Sequence, residues 1–181
     1  MREMIKMVVV LTILSFFSGG VLAYIRNNTQ ERIENQVLEF VKGPAIRAIF
    51  EGAGNNPVAD RFTLKDGDVE ITFFVGVFDG EPRGVAFIDV KDNQLMGVSV
   101  TTHAETPGMG AKAKSDPSFT AQFTGLALEQ PVAVTQDGGS ISAISGATIT
   151  SRAVSSAATD ADKIYQKLKT QIADKLKEFK K

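Results

Sequence analysis

The chain has 181 residues, 43% of them hydrophobic and 23% charged, with a formal net charge of −1. That length suits one globular domain plus an anchor or tail, and the apolar fraction excludes a chain disordered throughout. The near-zero charge gives no basic surface for nucleic acid. With no cysteine and a single histidine, disulfides, iron–sulfur ligation and thiolate catalysis are excluded, and no ligand set for a transition metal is left. Any electron carrier in such a chain is organic.

From the N-terminus, Met7 to Ile25 contains no charged residue. A helix rising about 1.5 Å per residue would carry this stretch across roughly 28 Å, close to the hydrocarbon thickness of a bilayer. Ser18-Gly19-Gly20 weakens an isolated helix but suits close packing between membrane helices. Arg2 and Lys6 precede the apolar run, whereas Arg26 behind it is diluted by Glu31 and Glu34. The asymmetry favours an N-terminus inside and the bulk of the chain outside. A cleaved signal peptide is the competing reading, with Val21-Leu22-Ala23 at the cleavage position. The run is longer than an ordinary signal core and continues through Tyr24-Ile25, so a retained anchor is expected. The predicted organisation is a cytoplasmic N-terminus over 1–6, a transmembrane helix over 7–25, a helical stalk over 26–60 and an extracytoplasmic domain over 61–181.

Asn27-Asn28-Thr29 offers a cap for a stalk helix that carries Ile33, Val37, Phe40 and Val41 at helical spacing. Gly43-Pro44 interrupts it, and Ala45 to Phe50 forms a further short helix. Val69, Ile71, Phe73, Val75 and Val77 then alternate as a half-buried strand, and Asp79-Gly80 with Glu81-Pro82 reads as a hairpin turn. Gly84 to Val90 returns, Asp92-Asn93 turns again, and Leu95 to Thr102 makes a third strand of an antiparallel meander. The meander delivers His103 and the loop behind it to a sheet edge, a common place for a binding loop. Phe119, Phe123 and Leu126 are predicted core residues, and Val132 to Thr135 is a predicted short strand. From Thr150 the pattern becomes helical: Val154, Ala158, Ala161, Tyr165, Leu168, Ile172, Leu176 and Phe179 form one apolar stripe. The opposite face carries most of the lysines and reads as a solvated surface. Lys177, Lys180 and Lys181 in the last turn suit the negative end of the helix dipole. The predicted fold is α+β: an N-terminal transmembrane helix, then an antiparallel sheet flanked by helices.

Where that last helix begins, Ser145-Gly146-Ala147-Thr148 and then Ile149-Thr150-Ser151 place several hydroxyls at the helix mouth. Two readings fit these residues alone. Ser and Thr are preferred N-caps, so the hydroxyls can simply close the helix. Alternatively, free backbone N–H groups and the positive dipole end receive an anion, a phosphate above all.

Ser145-Gly146-Ala147-Thr148 resembles the flavinylation motif of the FMN-binding subunits of bacterial membrane redox pumps. These are the G subunit of the Rnf electron-transport complex and the C subunit of the sodium-pumping NADH:quinone oxidoreductase. Upstream, His103-Ala104-Glu105-Thr106-Pro107-Gly108-Met109-Gly110 is similar to the family's His-x-Glu-Thr-Pro-Gly-Leu-Gly loop, with Met109 in place of Leu, a swap of similar volume. The C subunit of the quinone reductase is generally longer than this chain, so length favours the Rnf protein. A membrane-anchored FMN module serving another extracytoplasmic reductase is a further alternative.

The resemblance implies an FMN-binding domain with FMN joined covalently to Thr148 by a phosphoester. It also implies cofactor contacts from Ser145, Gly146, Ala147 and Thr150 around the phosphate. Glu105, Thr106, Gly108, Met109 and Gly110 would lie at the flavin. Glu105 either bonds the flavin or holds its own loop, and His103 reads as incidental. The chain has no catalytic triad of its own, so a flavin transferase must install the ester, and no independent catalytic activity is expected. The implied function is electron relay within an ion-translocating ferredoxin:NAD oxidoreductase, alongside other membrane subunits, in the bacterial inner membrane with the domain on the periplasmic side. One departure stands out: where the family often has an acidic residue shortly before the motif, this chain has Ser142, and the nearest upstream carboxylate is Asp137.

Overall fold

A computed structural model describes residues 1–85, 87–128 and 130–180. The chain divides into two compact units, Met1–Val41 and Lys42–Lys181. The first is built on helix α1, Arg2–Gln36, none of whose residues is buried. Among the described residues this helical stretch is the one long and apolar enough to cross a membrane. Its exposed side chains include Phe16, Phe17, Leu22 and Tyr24.

Asn27-Asn28-Thr29 starts no new helix, because α1 runs straight through it. In a helix already under way each amide bonds a carbonyl of the preceding turn, so a cap there has no orphan donor to satisfy. The interruption expected at Gly43-Pro44 takes the form of a π-helical turn, Val37–Lys42, followed by α2, Gly43–Ile49, with proline in its first turn. A proline cannot donate the next intrahelical bond, and inserting one extra residue per turn is a way to absorb that loss while the chain stays helical.

In the second unit five strands form one antiparallel sheet in sequential order: β1 Arg61–Asp66, β2 Val69–Phe78, β3 Glu81–Val85, β4 Ile88–Asp89 and β5 Gln94–Leu95. The β2–β3 hairpin turns on Asp79 and Gly80, with φ of 52° and 79°. Positive φ at both central positions is the geometry whose twist matches the flanking strands, and it selects Asp-Gly. Strand β1, absent from the predicted elements, pairs Phe62 with Phe73 and Leu64 with Ile71. The returning run Gly84 to Val90 splits into β3 and β4 around position 86, which lies outside the described residues.

The third strand expected over Leu95 to Thr102 is only its first residue. Beyond β5 the sheet edge is taken over by the segment around Ala127: Gln94 bridges Ala127, and Leu95 N–H donates to Leu126 O at 2.9 Å. Val98 and Val100 still pack on the core. Their alternation thus encodes which side is buried and not a ladder partner. The strand expected over Val132 to Thr135 is reduced to a parallel bridge, Val134 with Ile141, and a 3₁₀ turn over Thr135–Asp137.

Helices α3, Lys112–Ser115, and α4, Pro117–Ala121, are short. Helix α5, Thr148–Leu176, buries Ala158, Tyr165, Leu168, Ile172 and Leu176 against the sheet, the stripe expected from its 3.6-residue period. Phe119 and Phe123 join the same core. Lysines of α5 pair with carboxylates, Lys163 with Asp160 and Lys175 with Glu178 just beyond the helix, while Lys167 reaches Asp66 on β1. That is the solvated face expected; Lys181 lies outside the described residues.

Candidate functional site

Thr148 is the first residue of α5, and the residue before it, Ala147, takes the cap position with no side-chain cap hydrogen bond. The motif's hydroxyls therefore do not close the helix, and the capping reading of this stretch is set aside. Four N–H groups at a helix start have no intrahelical partner, and here they face out with the positive dipole end. Thr148 is half-buried, Ile149 is exposed and Ser145 is exposed. Gly146 has a φ of 77°, so the turn that brings the chain to Thr148 uses a conformation costly for residues with a side chain.

Ser151 fixes that turn from below. It is fully buried; its Oγ donates to Ala147 O at 3.0 Å and accepts from Ile144 N–H at 2.9 Å. Ser151 is not among the predicted site residues. Its available signal is position: a Ser four residues past the cap can bond back to the cap carbonyl.

The second motif lies against the first. Thr150 Oγ1 donates to Glu105 Oε2 at 3.0 Å across 45 residues of sequence. Gly110 sits beside both: a Cβ there would collide with the Glu105 side chain and come within 2.8 Å of Thr150 Oγ1, so only glycine allows this contact. Met109 is half exposed, and its Cε would lie 3.3 Å from a Cβ placed at Gly146. Between them Thr106-Pro107-Gly108-Met109 makes a turn closed by Met109 N–H to Thr106 O at 3.3 Å, with Gly108 at a φ of 82°. Glu105, Met109, Gly110, Gly146 and Thr150 thus meet at the start of α5. Thr106, Gly108 and Ser145 are on exposed turns around it. His103 accepts the Glu105 N–H at 3.3 Å on Nδ1, a bond within its own loop.

The approach to the motif is clamped as well. The Gln122 side chain accepts from Ser142 N–H at 2.7 Å and donates to Ser142 O at 3.2 Å. Asp137 lies near the start of α5, where it accepts from Arg152 Nε at 2.6 Å and Nη2 at 2.8 Å. This two-point bond to the guanidinium holds the Asp137 carboxyl below the usual carboxylate range and raises Arg152. A depressed folded-state pKa means that the contribution is present above the unfolded value, about 3.9, and fades as the pH falls through the folded value. Asp137→Asn is accordingly expected to flatten the pH dependence of the melting temperature below about pH 4, with little change in slope at neutral pH; melts of both proteins across that range check this.

A helix that opens uncapped at a hydroxyl residue, beside a glycine turn, offers donors that suit an anion such as a phosphate. The FMN-binding domain family matches this chain over residues 80–163. The G subunit of an ion-translocating oxidoreductase complex from Methanosarcina acetivorans is 28% identical over 172 residues, which cover 84% of this chain and 89% of that protein. The G subunit of a sodium-translocating ferredoxin:NAD oxidoreductase complex from Acetobacterium woodii is 38% identical over 125 residues, 66% of this chain and 56% of that one. Its proton-translocating counterpart from Clostridium ljungdahlii is 28% identical over 160 residues, 83% and 85% of the two chains. These relatives agree with the resemblance to the Rnf protein that the two motifs carry.

The residues present fit FMN. The uncapped first turn of α5 offers donors for a phosphate, and among the described residues no hydrogen bond engages the Thr148 hydroxyl. Among the described residues no cluster of His, Cys, Asp or Glu could hold a metal ion.

Proposed function

We propose that this chain is the FMN-carrying subunit of a membrane-bound, ion-translocating oxidoreductase, with FMN joined through its phosphate to Thr148 Oγ1. The observation that carries this reading is the convergence of two motifs, through the Thr150–Glu105 bond, on an uncapped helix start whose first residue is Thr148. Bound FMN supplies the one- and two-electron chemistry that a chain with no cysteine lacks. The protein's share is to hold and orient it. Amides of the first turn of α5, with Ser145 and Thr150 nearby, offset the charge left on the phosphate. Gly146 and Ala147 permit close approach. The loop from Glu105 to Gly110, with Met109 over the motif turn, covers the attachment point.

Thr148 serves as an attachment point and not as an activated nucleophile. The one histidine of the sequence is engaged within its own loop, so a flavin transferase is required to form the ester. The chain crosses the membrane once through residues 7–25, with residues 1–6 in the cytoplasm and Thr148 outside. A covalent bond keeps the cofactor from being lost there. Other membrane subunits of the complex act as donor and acceptor.

Expressed in cells that hold an active flavin transferase, the chain is expected to run as a fluorescent band on a denaturing gel of the membrane fraction. Protease added to spheroplasts is expected to remove that band. A non-fluorescent band would argue against covalent flavin, and a band protected in spheroplasts but cleaved after lysis would reverse the orientation.

A further inference from the structure

The first charged residue of α5 is a cation. Arg152 follows Thr148 by four positions, and the first turn of the helix holds no acidic residue. Helix starts ordinarily gain from a carboxylate and lose from a cation, because the dipole leaves about half a positive charge there. Among the described residues one carboxylate, Asp137, pairs with the guanidinium. The dipole end and the unpartnered amides therefore keep a net pull on a second anion. As a stabilising device the pair is poor: its side chains are 48% and 41% exposed, and such pairs contribute little.

Asp137 does aim the guanidinium. Its carboxyl stands at the end of the 3₁₀ turn Thr135–Asp137, closed by Asp137 N–H to Val134 O at 2.9 Å and tied by the bridge between Val134 and Ile141. The two carboxylate oxygens accept from Nε and Nη2, at 2.6 and 2.8 Å, and so occupy one edge of the planar group. The Nη1 donors on the opposite edge have no hydrogen-bond partner among the described residues. Residues four apart on a helix are neighbours, about 5–6 Å between Cβ atoms, and long side chains lean toward the helix N-terminus. Arg152 thus lies on the Thr148 side of α5, within reach of a group attached to that hydroxyl.

We infer that Arg152 donates from its Nη1 edge to the phosphate of FMN esterified to Thr148, and that Asp137 is the positioning residue that holds the guanidinium for it. The inference rests on the proposed attachment. The ester keeps a negative charge on its unbridged oxygens, which the first-turn amides and the guanidinium then share.

Phosphorus NMR of the full-length flavinylated protein in detergent tests it, because the nucleus lies in the group that Arg152 is assigned to bind. Folded wild type is expected to resonate away from the position of the same protein unfolded in urea. Arg152→Gln is expected to move the signal back toward that position. Arg152→Lys, which keeps the charge, stands between the two, and Asp137→Asn moves the signal less than Arg152→Gln does. Flavinylation is also expected to raise the melting temperature of wild type by about 3 °C more than that of Arg152→Gln. A pair that only braces its loop would cost the loaded and unloaded proteins the same. An unchanged phosphorus signal in Arg152→Gln, or an equal gain in melting temperature on flavinylation, would therefore overturn the contact. Should Arg152→Gln not fold, the Arg152→Lys and Asp137→Asn spectra decide by the same criterion. Wild type lacking FMN beside an active transferase would overturn the attachment at Thr148 instead, and the phosphate contact with it.

Discussion

Thr148→Ala is expected to abolish covalent FMN, from one per chain to none, while the domain folds as before. The two halves of that result have separate causes. The hydroxyl is the atom through which the ester forms, and neither Thr150 nor Ser151 can replace it: Thr150 Oγ1 is bonded to Glu105, and Ser151 Oγ is buried between Ala147 O and Ile144 N–H. For stability, Thr148 is only half-buried and its hydroxyl makes no hydrogen bond among the described residues. Removing such a group from a helix start costs no more than about 0.5 kcal/mol. Intact mass and urea melts of the unflavinylated proteins give the two numbers. Thr150→Ala is the contrasting variant: it keeps the attachment and frees the Glu105 loop.

Phe123→Ala is expected to be the opposite case, a change remote from the ester with the largest cost in stability. Phe123 is fully buried and meets Phe119 edge to face, with ring centroids 5.4 Å apart. Truncating such a ring costs about 3–5 kcal/mol, the lost transfer energy plus the cavity left behind. Domains of this kind have about 5–15 kcal/mol in total. Its neighbour Gln122 holds both backbone groups of Ser142 on the approach to the motif, so the cavity opens next to the segment that positions Thr148. Urea unfolding is expected to show a midpoint shifted far below wild type, with flavinylation falling as the folded fraction falls. A loss under about 1 kcal/mol would mean that the site collapses around the missing ring.

The sequence carries the long-period signals well. The membrane-length run, the stripe of α5, the strand from Val69 and the Asp79-Gly80 turn are local patterns of burial or backbone conformation, and the structure repeats them. What it does not carry is partners. Val98 and Val100 alternate like a strand, yet the segment around Ala127 occupies the edge beside β5, and nothing in either stretch encodes that choice. Strand β1 is hard to see in the sequence because only Phe62 and Leu64 mark it among polar residues; its place is set by β2 across the hairpin. At the site, both motifs are legible, but not that Glu105 reaches Thr150 or that Ser151 staples the turn. Gly110 is instructive here. In the loop it reads as one more turn residue, whereas its real constraint comes from two side chains that crowd it, one of them 40 positions away.

Peptide mapping after intact-mass measurement decides whether Thr148 carries the cofactor. The protein would be purified from a host with an active flavin transferase and digested. The expected result is one added FMN, less one water, confined to the peptide containing Ser145 to Ser151 and localised by fragmentation to Thr148. An unmodified mass with the transferase shown to be active, or the added mass on any other residue, would contradict it.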